Sequence, residues 1–265
     1  MGGTDGSLDA AVDRFLTPRP PRESLRDDDL LGRGAAIRLD CGLAATAWGT
    51  GPTVLLAHGW ESRRTHWSAF VGPLAEAGFR AVAIDAPAHG ESPGHMTNVL
   101  EYALMLVDAG RQIGPLAGVV GHSFGAAAAA IALGRGLHAT RAVLISGPSS
   151  LVSVLERWGR GHGLAEQDLP RFLFLVGAKV GEPLEHLDLT HFAAELTTPT
   201  LIVHDRNDKE IPVEDAVALA AVWRSATIRI TERYGHRRIM FAPEVVREVV
   251  GFLDGRYVET RPDGT

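Results

Sequence analysis

A series of apolar runs, each breaking off at a polar or glycine-bearing turn, constrains this chain more than any other feature. Thr53–Ala57 ends in His58-Gly59, Arg80–Ile84 in Asp85, and the run 116–120 in Gly121-His122-Ser123. Run 141–145 ends in Ser146-Gly147 and run 200–203 in His204-Asp205. The last run, 226–230, alternates most clearly. Runs without a polar face suit parallel strands covered by helices on both sides. Helical periodicity fills the intervals, over 65–77, 98–111, 124–133, 213–223 and 243–252. Strands alternating with helices predict an α/β fold: a mostly parallel central sheet flanked by helices, with right-handed crossovers. Segments 36–41 and 43–48 precede this pattern and read as an antiparallel pair.

Two stretches depart from the alternation. Residues 7–16 space Leu8, Val12, Phe15 and Leu16 on one face of a short helix, with Ser7 as its cap. A proline- and charge-rich linker, 17–29, follows. Between 149 and 198 no strand pattern occurs, and three helical segments appear at 151–158, 169–180 and 187–196. A helical insertion between sheet strands can lie over their carboxyl ends, where open α/β sheets hold ligands. The expected organisation is therefore an N-terminal helix and linker (1–30), a core from 31–148 and 199–265, and a helical cap over 149–198.

Composition narrows the function. The formal net charge of −6 comes from interspersed acids and bases, without a basic stripe for nucleic acid or a polybasic membrane patch. The longest apolar stretch, 126–133, is far below the ~20 residues a membrane span requires. The first residues carry no basic and apolar leader, so a cytoplasmic location is the expectation. Cys41 is the single cysteine, so no internal disulfide can form; it is read as packing within a strand. Nothing in the sequence sets an oligomeric state.

Gly121-His122-Ser123-Phe124-Gly125 matches G-x-S-x-G between an apolar strand and an alanine-rich helix. In that setting the serine stands at the tip of a sharp, strained turn, and the next amide faces the same space. Gly121 and Gly125 are expected where strand and helix approach too closely for a side chain. A serine hydroxyl needs a base. Among eleven histidines, His236 is best placed, on the loop after the last strand. Gly59 lets the loop after 53–57 turn the Trp60 amide inward, so Trp60 and Phe124 are the expected oxyanion donors.

Together with Asp85-Ala86-Pro87-Ala88-His89-Gly90-Glu91-Ser92 and Asp205-Arg206-Asn207-Asp208, these motifs resemble the α/β-hydrolase superfamily over residues 36–255. The resemblance implies a serine hydrolase with Ser123 as nucleophile, His236 as base and an orienting acid on the loop after 200–203. Asp208, before Lys209-Glu210-Ile211-Pro212, is the expected acid and Asp205 the next candidate; Glu210, Glu214 and Asp215 read as solvated or helix-start charges. The resemblance further implies that His58 supports the oxyanion loop. Two positions depart from the family pattern: Ala88 and Asp205 stand where glycine is usual. The change at Ala88 should alter local loop geometry and leave the chemistry intact.

The expected reaction is hydrolysis of carboxylic esters through an acyl-enzyme, without metal or cofactor. A thioesterase, an acyltransferase or a C–C bond hydrolase would use the same triad, and a non-catalytic small-molecule binder is the alternative from another class. Haloalkane dehalogenase and epoxide hydrolase relatives carry aspartate where Ser123 stands. His89, His95 and His122 lack metal-ligand spacing, and residues 121–125 lack the ending of a phosphate loop. The expected partner is a small ester or thioester with an apolar part. Leu151, Leu155, Trp158, Phe172, Phe174 and Val176 are candidate pocket residues, joined by Trp60, Phe124 and Met96. Arg157 and Arg160 read as solvated.

Overall fold

The apolar runs become strands within a residue or two of their expected limits. The computed structural model describes residues 4–20 and 25–257. Helices α1 (Thr4–Leu16) and α2 (Leu25–Gly32) lead into β1 (Ala35–Arg38), β2 (Ala44–Trp48) and β3 (Thr53–Ala57). Helix α3 (Ser68–Glu76), β4 (Arg80–Ile84), α4 (Val99–Ile113), β5 (Leu116–His122), α5 (Phe124–Gly134) and β6 (Ala142–Ile145) follow in alternation. The strandless interval holds α6 (Leu151–Gly161), α7 (Leu169–Val180) and α8 (Leu189–Glu195). The chain closes with β7 (Thr200–Asp205), α9 (Val213–Val222), β8 (Ala226–Thr231), the short α10 (Gly235–Arg238) and α11 (Pro243–Leu253).

The eight strands form one sheet in the order β1-β2-β4-β3-β5-β6-β7-β8. β2 pairs antiparallel with β1 and β4, and every other pairing is parallel. Alternation within each strand explains the unbroken apolar runs. Leu55, Val82, Val119, Leu144 and Ile202 face one core, which α4, α5, α8 and α9 cover. Leu56, Ala83, Val120, Val143 and Leu201 face the opposite core, covered by α3 and α11. Both faces of the central strands are buried, so their runs lack a polar face.

A third, smaller core lies apart from these two. Leu8, Val12 and Leu16 of α1 meet Leu155 of α6, Phe172 and Val176 of α7, and Leu184. Helix α8 instead packs on α5 and α9, within a layer that covers the sheet.

Three local expectations are corrected. Helix α1 begins at Thr4, so Ser7 lies inside it and does not cap it. Residues 25–29, expected as linker, belong to the helix α2: Asp27 and Asp28 lie in its first turn, where negative charge complements the helix dipole, and Leu30 and Leu31 pack on the second core. Residues 21–24 of that linker, with 1–3 and 258–265, lie outside the described residues. Cys41 lies in the turn between β1 and β2, half-buried against the first core. Among the described residues, no helix is long and apolar enough to cross a membrane.

Candidate active site

β5 carries the chain straight into Ser123, and α5 starts at the next residue. Ser123 adopts φ 53° and ψ −115°, a region that non-glycine residues avoid. Its hydroxyl does not cap α5. The amide of Ser123 donates to the carbonyl of Ile145 at 2.9 Å, which ties the turn to β6. The flanking glycines are a steric necessity. A Cβ on Gly121 would lie 2.3 Å from the carbonyl oxygen of Gly125, and one on Gly125 would lie 2.1 Å from that of Ala57.

The structure brings Ser123, His236 and Asp208 together. His236 Nε2 is 2.9 Å from Ser123 Oγ, and His236 Nδ1 is 2.7 Å from Asp208 Oδ2. With the proton on Nδ1, the ring donates to the carboxylate and accepts from the serine hydroxyl. Asp208 Oδ1 accepts from the amides of Glu210 and Ile211, both at 2.9 Å. Burial pushes this carboxyl upward, yet the hydrogen bonds from His204 and His236 outweigh it and hold Asp208 well below the ordinary carboxylate range.

Asp205, the second candidate acid, takes a different place. It is fully buried, and its Oδ2 accepts from Thr231 Oγ1 at 2.6 Å and from the amides of Arg233 and Tyr234 at 2.9 Å. Its Oδ1 accepts from the Asn207 amide at 2.9 Å. Asp205 therefore pins the loop that delivers His236 and has no bond to the imidazole. Burial raises this carboxyl, but the Thr231 hydroxyl and the loop amides together leave it lowered. Asp215, expected as solvated or helix-start, is buried, and its Oδ1 accepts from the amide and hydroxyl of Ser149. Glu210 and Glu214 are exposed.

The loop after β3 is fastened from several sides. His58 Nδ1 donates to the Gly59 carbonyl at 2.7 Å, while its Nε2 accepts from the Ala86 amide at 2.9 Å. Gly59 approaches the elbow so closely that a Cβ would lie 2.9 Å from His122 Nδ1. The Trp60 ring meets Phe124 edge-on at 5.1 Å. Glu61, the next residue, has φ 53°. Its amide donates to His89 Nε2 at 3.1 Å, and its carboxylate receives Arg19 Nε at 2.8 Å and Nη2 at 2.9 Å. In the neighbouring turn Asp85 accepts from the Arg64 amide and pairs with the Arg64 guanidinium. Ala88 holds φ 59° there, so the glycine-like backbone is kept and alanine carries the strain.

Two positioning residues were not singled out from sequence. His122 Nε2 donates to the backbone carbonyl of His236 at 2.9 Å, which braces the elbow against the histidine loop. His89 holds Glu61 as described. The one available signal was their position beside the motifs. Burial lowers the pKa of His58, His89 and His122, and lowers that of His66, with help from the Arg237 charge, to about 4. The ring beside His236 is therefore neutral at pH 7 and does not oppose a positive charge forming there.

Ser123 and His236 line two cavities. The larger, about 880 Å³, is walled by Trp60, Phe124, Leu151, Leu155, Trp158 and Val176. Phe15 and Leu16 of α1 also line it, a contribution invisible from sequence because an amphipathic stripe does not reveal its partner. The smaller, about 440 Å³, is more polar and includes Ser62, His66 and Arg237. Three expected pocket residues lie elsewhere. Phe172 is buried in the small core, Phe174 is 64% exposed, and Met96 is exposed and outside the lining.

Comparison with known proteins agrees with this architecture. A 52-residue segment is 46% identical to the pimeloyl-[acyl-carrier protein] methyl ester esterase of Methylococcus capsulatus, a match covering 20% of each chain. The fold superposes on an esterase of Pyrococcus furiosus with a TM-score of 0.68 and 21% identity, over 91% of this chain and 99% of that one. An esterase of Exiguobacterium antarcticum gives a TM-score of 0.64 at 18% identity, over 83% and 99% of the two chains. The model of the alpha/beta hydrolase family matches residues 54–249, well over half of the sequence, and the chain belongs to that family.

Proposed function

We propose that the protein is a serine hydrolase that cleaves carboxylic esters through an acyl-enzyme on Ser123. The observation that carries this reading is the continuous hydrogen-bonded path from Ser123 Oγ through His236 to Asp208 Oδ2. His236 Nε2 takes the hydroxyl proton as Ser123 Oγ attacks the ester carbonyl. The amides of Trp60 and Phe124 hold the oxyanion; Phe124, as the first residue of α5, has an amide with no partner inside its helix. The His236 imidazolium then protonates the departing alcohol, and Asp208 stabilises its charge. Water, deprotonated by His236, attacks the acyl carbonyl and releases the acid and free Ser123.

The reading extends to the layer above. Within the interval 149–198, helices α6 and α7 act as a cap that, with α1, walls an apolar cleft for part of the ester, and α8 serves the sheet layer. The short match to a methyl ester esterase supports an ester substrate. A fluorophosphonate probe should label the wild-type protein and fail to label Ser123→Ala. Short p-nitrophenyl esters should be hydrolysed by the former only. A folded wild type that takes no label and turns over no ester overturns the proposal.

A further inference from the structure

We propose that Arg157 binds an oxyanion in the larger cavity, so that the preferred ester carries a carboxylate at the end remote from its scissile bond. The substrate class rests on the hydrolase reading of Ser123; the binding site itself does not.

The cavity that Ser123 and His236 share is lined by three acids, Asp13, Glu61 and Glu210. Each is already engaged: Asp13 by Lys179 at 3.5 Å, Glu61 by Arg19 at 2.8 Å, and Glu210 by Arg237 at 3.1 Å. Arg157 lines the same cavity, yet it forms no ion pair or hydrogen bond among the described residues. It is half-buried, and its Nη2 is closed off from solvent without a partner.

Arg160, three residues along the same helix, provides the contrast. It is exposed and takes both nearby acids, Glu156 at 3.3 Å and Glu166 at 2.7 Å. Nothing is left on α6 to neutralise Arg157. A guanidinium partly withdrawn from water without a counter-charge is unfavourable in the free protein. A ligand carboxylate supplies the missing counter-charge, paired through the guanidinium nitrogens that are not closed off, Nε or Nη1. Val154, Leu155 and Trp158 of the same helix line the cavity around Arg157. They suit the methylene chain that joins such a carboxylate to the ester carbonyl. Arg14 and Lys209, exposed in the same lining and also without an acid partner among the described residues, leave the cavity with an excess of positive charge.

The test compares kcat/KM for matched pairs of p-nitrophenyl esters with acyl chains of four to eight carbons. One member of each pair ends in a carboxylate and the other in a methyl group. The wild type should favour the anionic member at least tenfold for one or more chain lengths. Arg157→Gln should cut that ratio tenfold or more, Arg157→Lys should restore part of it, and Arg160→Gln should leave the ratio as it is. A wild-type ratio near or below one at every length, or a ratio unmoved by Arg157→Gln, overturns the proposal. If no ester is turned over, the serine hydrolase reading fails, and calorimetric titration with suberate decides the site separately. Binding weakened tenfold by Arg157→Gln supports it; equal or undetectable binding in both proteins overturns it.

Discussion

Two regions meet at Ser123, and they are built on different principles. Beneath it, every group of the site leaves a strand end of one sheet: Ser123 from β5, Asp208 just past β7, His236 just past β8, Trp60 just past β3. Of those strands, β3, β5 and β7 are buried on both faces by two extended cores, and β8 is the partly exposed edge. Above it, α1, α6 and α7 share a small core and reach the rest through side chains such as Phe15, whose ring stacks on Trp60 at 6.3 Å. Groups that must meet to a fraction of an ångström are fixed by backbone; the walls of the larger cavity are fixed by packing. Chemistry should therefore fail all at once when the lower region is altered, whereas selectivity should drift when the upper one is.

The largest effect expected on the lower side follows Asp208→Asn. The amide cannot stabilise the imidazolium or select the Nδ1–H tautomer, so kcat should fall by about 10⁴ with the fold intact. Steady-state ester kinetics with a circular dichroism control check this. Next comes Asp205→Asn. Its oxygens receive a hydroxyl and three amides, and one of its acceptors becomes an NH₂ donor. The expected loss is about 3 kcal/mol of stability, with a fall in rate smaller than that of Asp208→Asn. If Asp205→Asn were the more severe for kcat, the division between acid and loop anchor would be reversed.

These two aspartates show how far the site was legible from sequence. Ser123 and His236 could be found because each follows an apolar run whose end is visible, and Asp208 because its surroundings resemble the family pattern; the structure brings all three into contact. The role of Asp205 could not be found. Its partners at Thr231, Arg233 and Tyr234 are backbone amides and a hydroxyl more than twenty residues away, and amides leave no sequence signature. Helix α2 was hidden by its run of aspartates, which reads as linker until the helix dipole is considered. Arg157 and Arg160 look equivalent in sequence; only packing shows that one is out in solvent and the other half-buried without a partner.

The comparison also predicts where acid acts. His58, His66, His89 and His122 all lie on the sheet side, and burial lowers the pKa of each. In the unfolded chain they titrate near 6.5. Below that pH the unfolded state binds protons that the folded state refuses, so stability is complete above about pH 6.5 and is lost as pH falls, by up to about 1.4 kcal/mol per pH unit for each histidine. Denaturant unfolding at pH 7, 6 and 5 should give a slope of more than one proton. His66→Phe should remove about one proton of it down to pH 4, where His66 itself titrates in the fold.

The smallest effect concerns the strap that joins the two regions. Arg19 clasps Glu61 directly after Trp60, and the Leu16 carbonyl accepts from the Thr97 amide at 2.9 Å. The Arg19 side chain is 85% exposed, and a pair so placed contributes little to stability. Its value is geometric, because Glu61 holds a positive φ directly after Trp60, the proposed oxyanion donor. Arg19→Gln should leave the melting temperature within a degree or two and lower kcat two- to fivefold, with little change in KM, since a looser loop misaims the Trp60 amide after the ester has bound. Phe15→Ala should do the opposite, raising KM for long acyl chains and sparing short ones. If Arg19→Gln raised KM alone, α1 would be only a wall of the cleft, and the separation between a backbone-fixed lower region and a packed upper one would be complete.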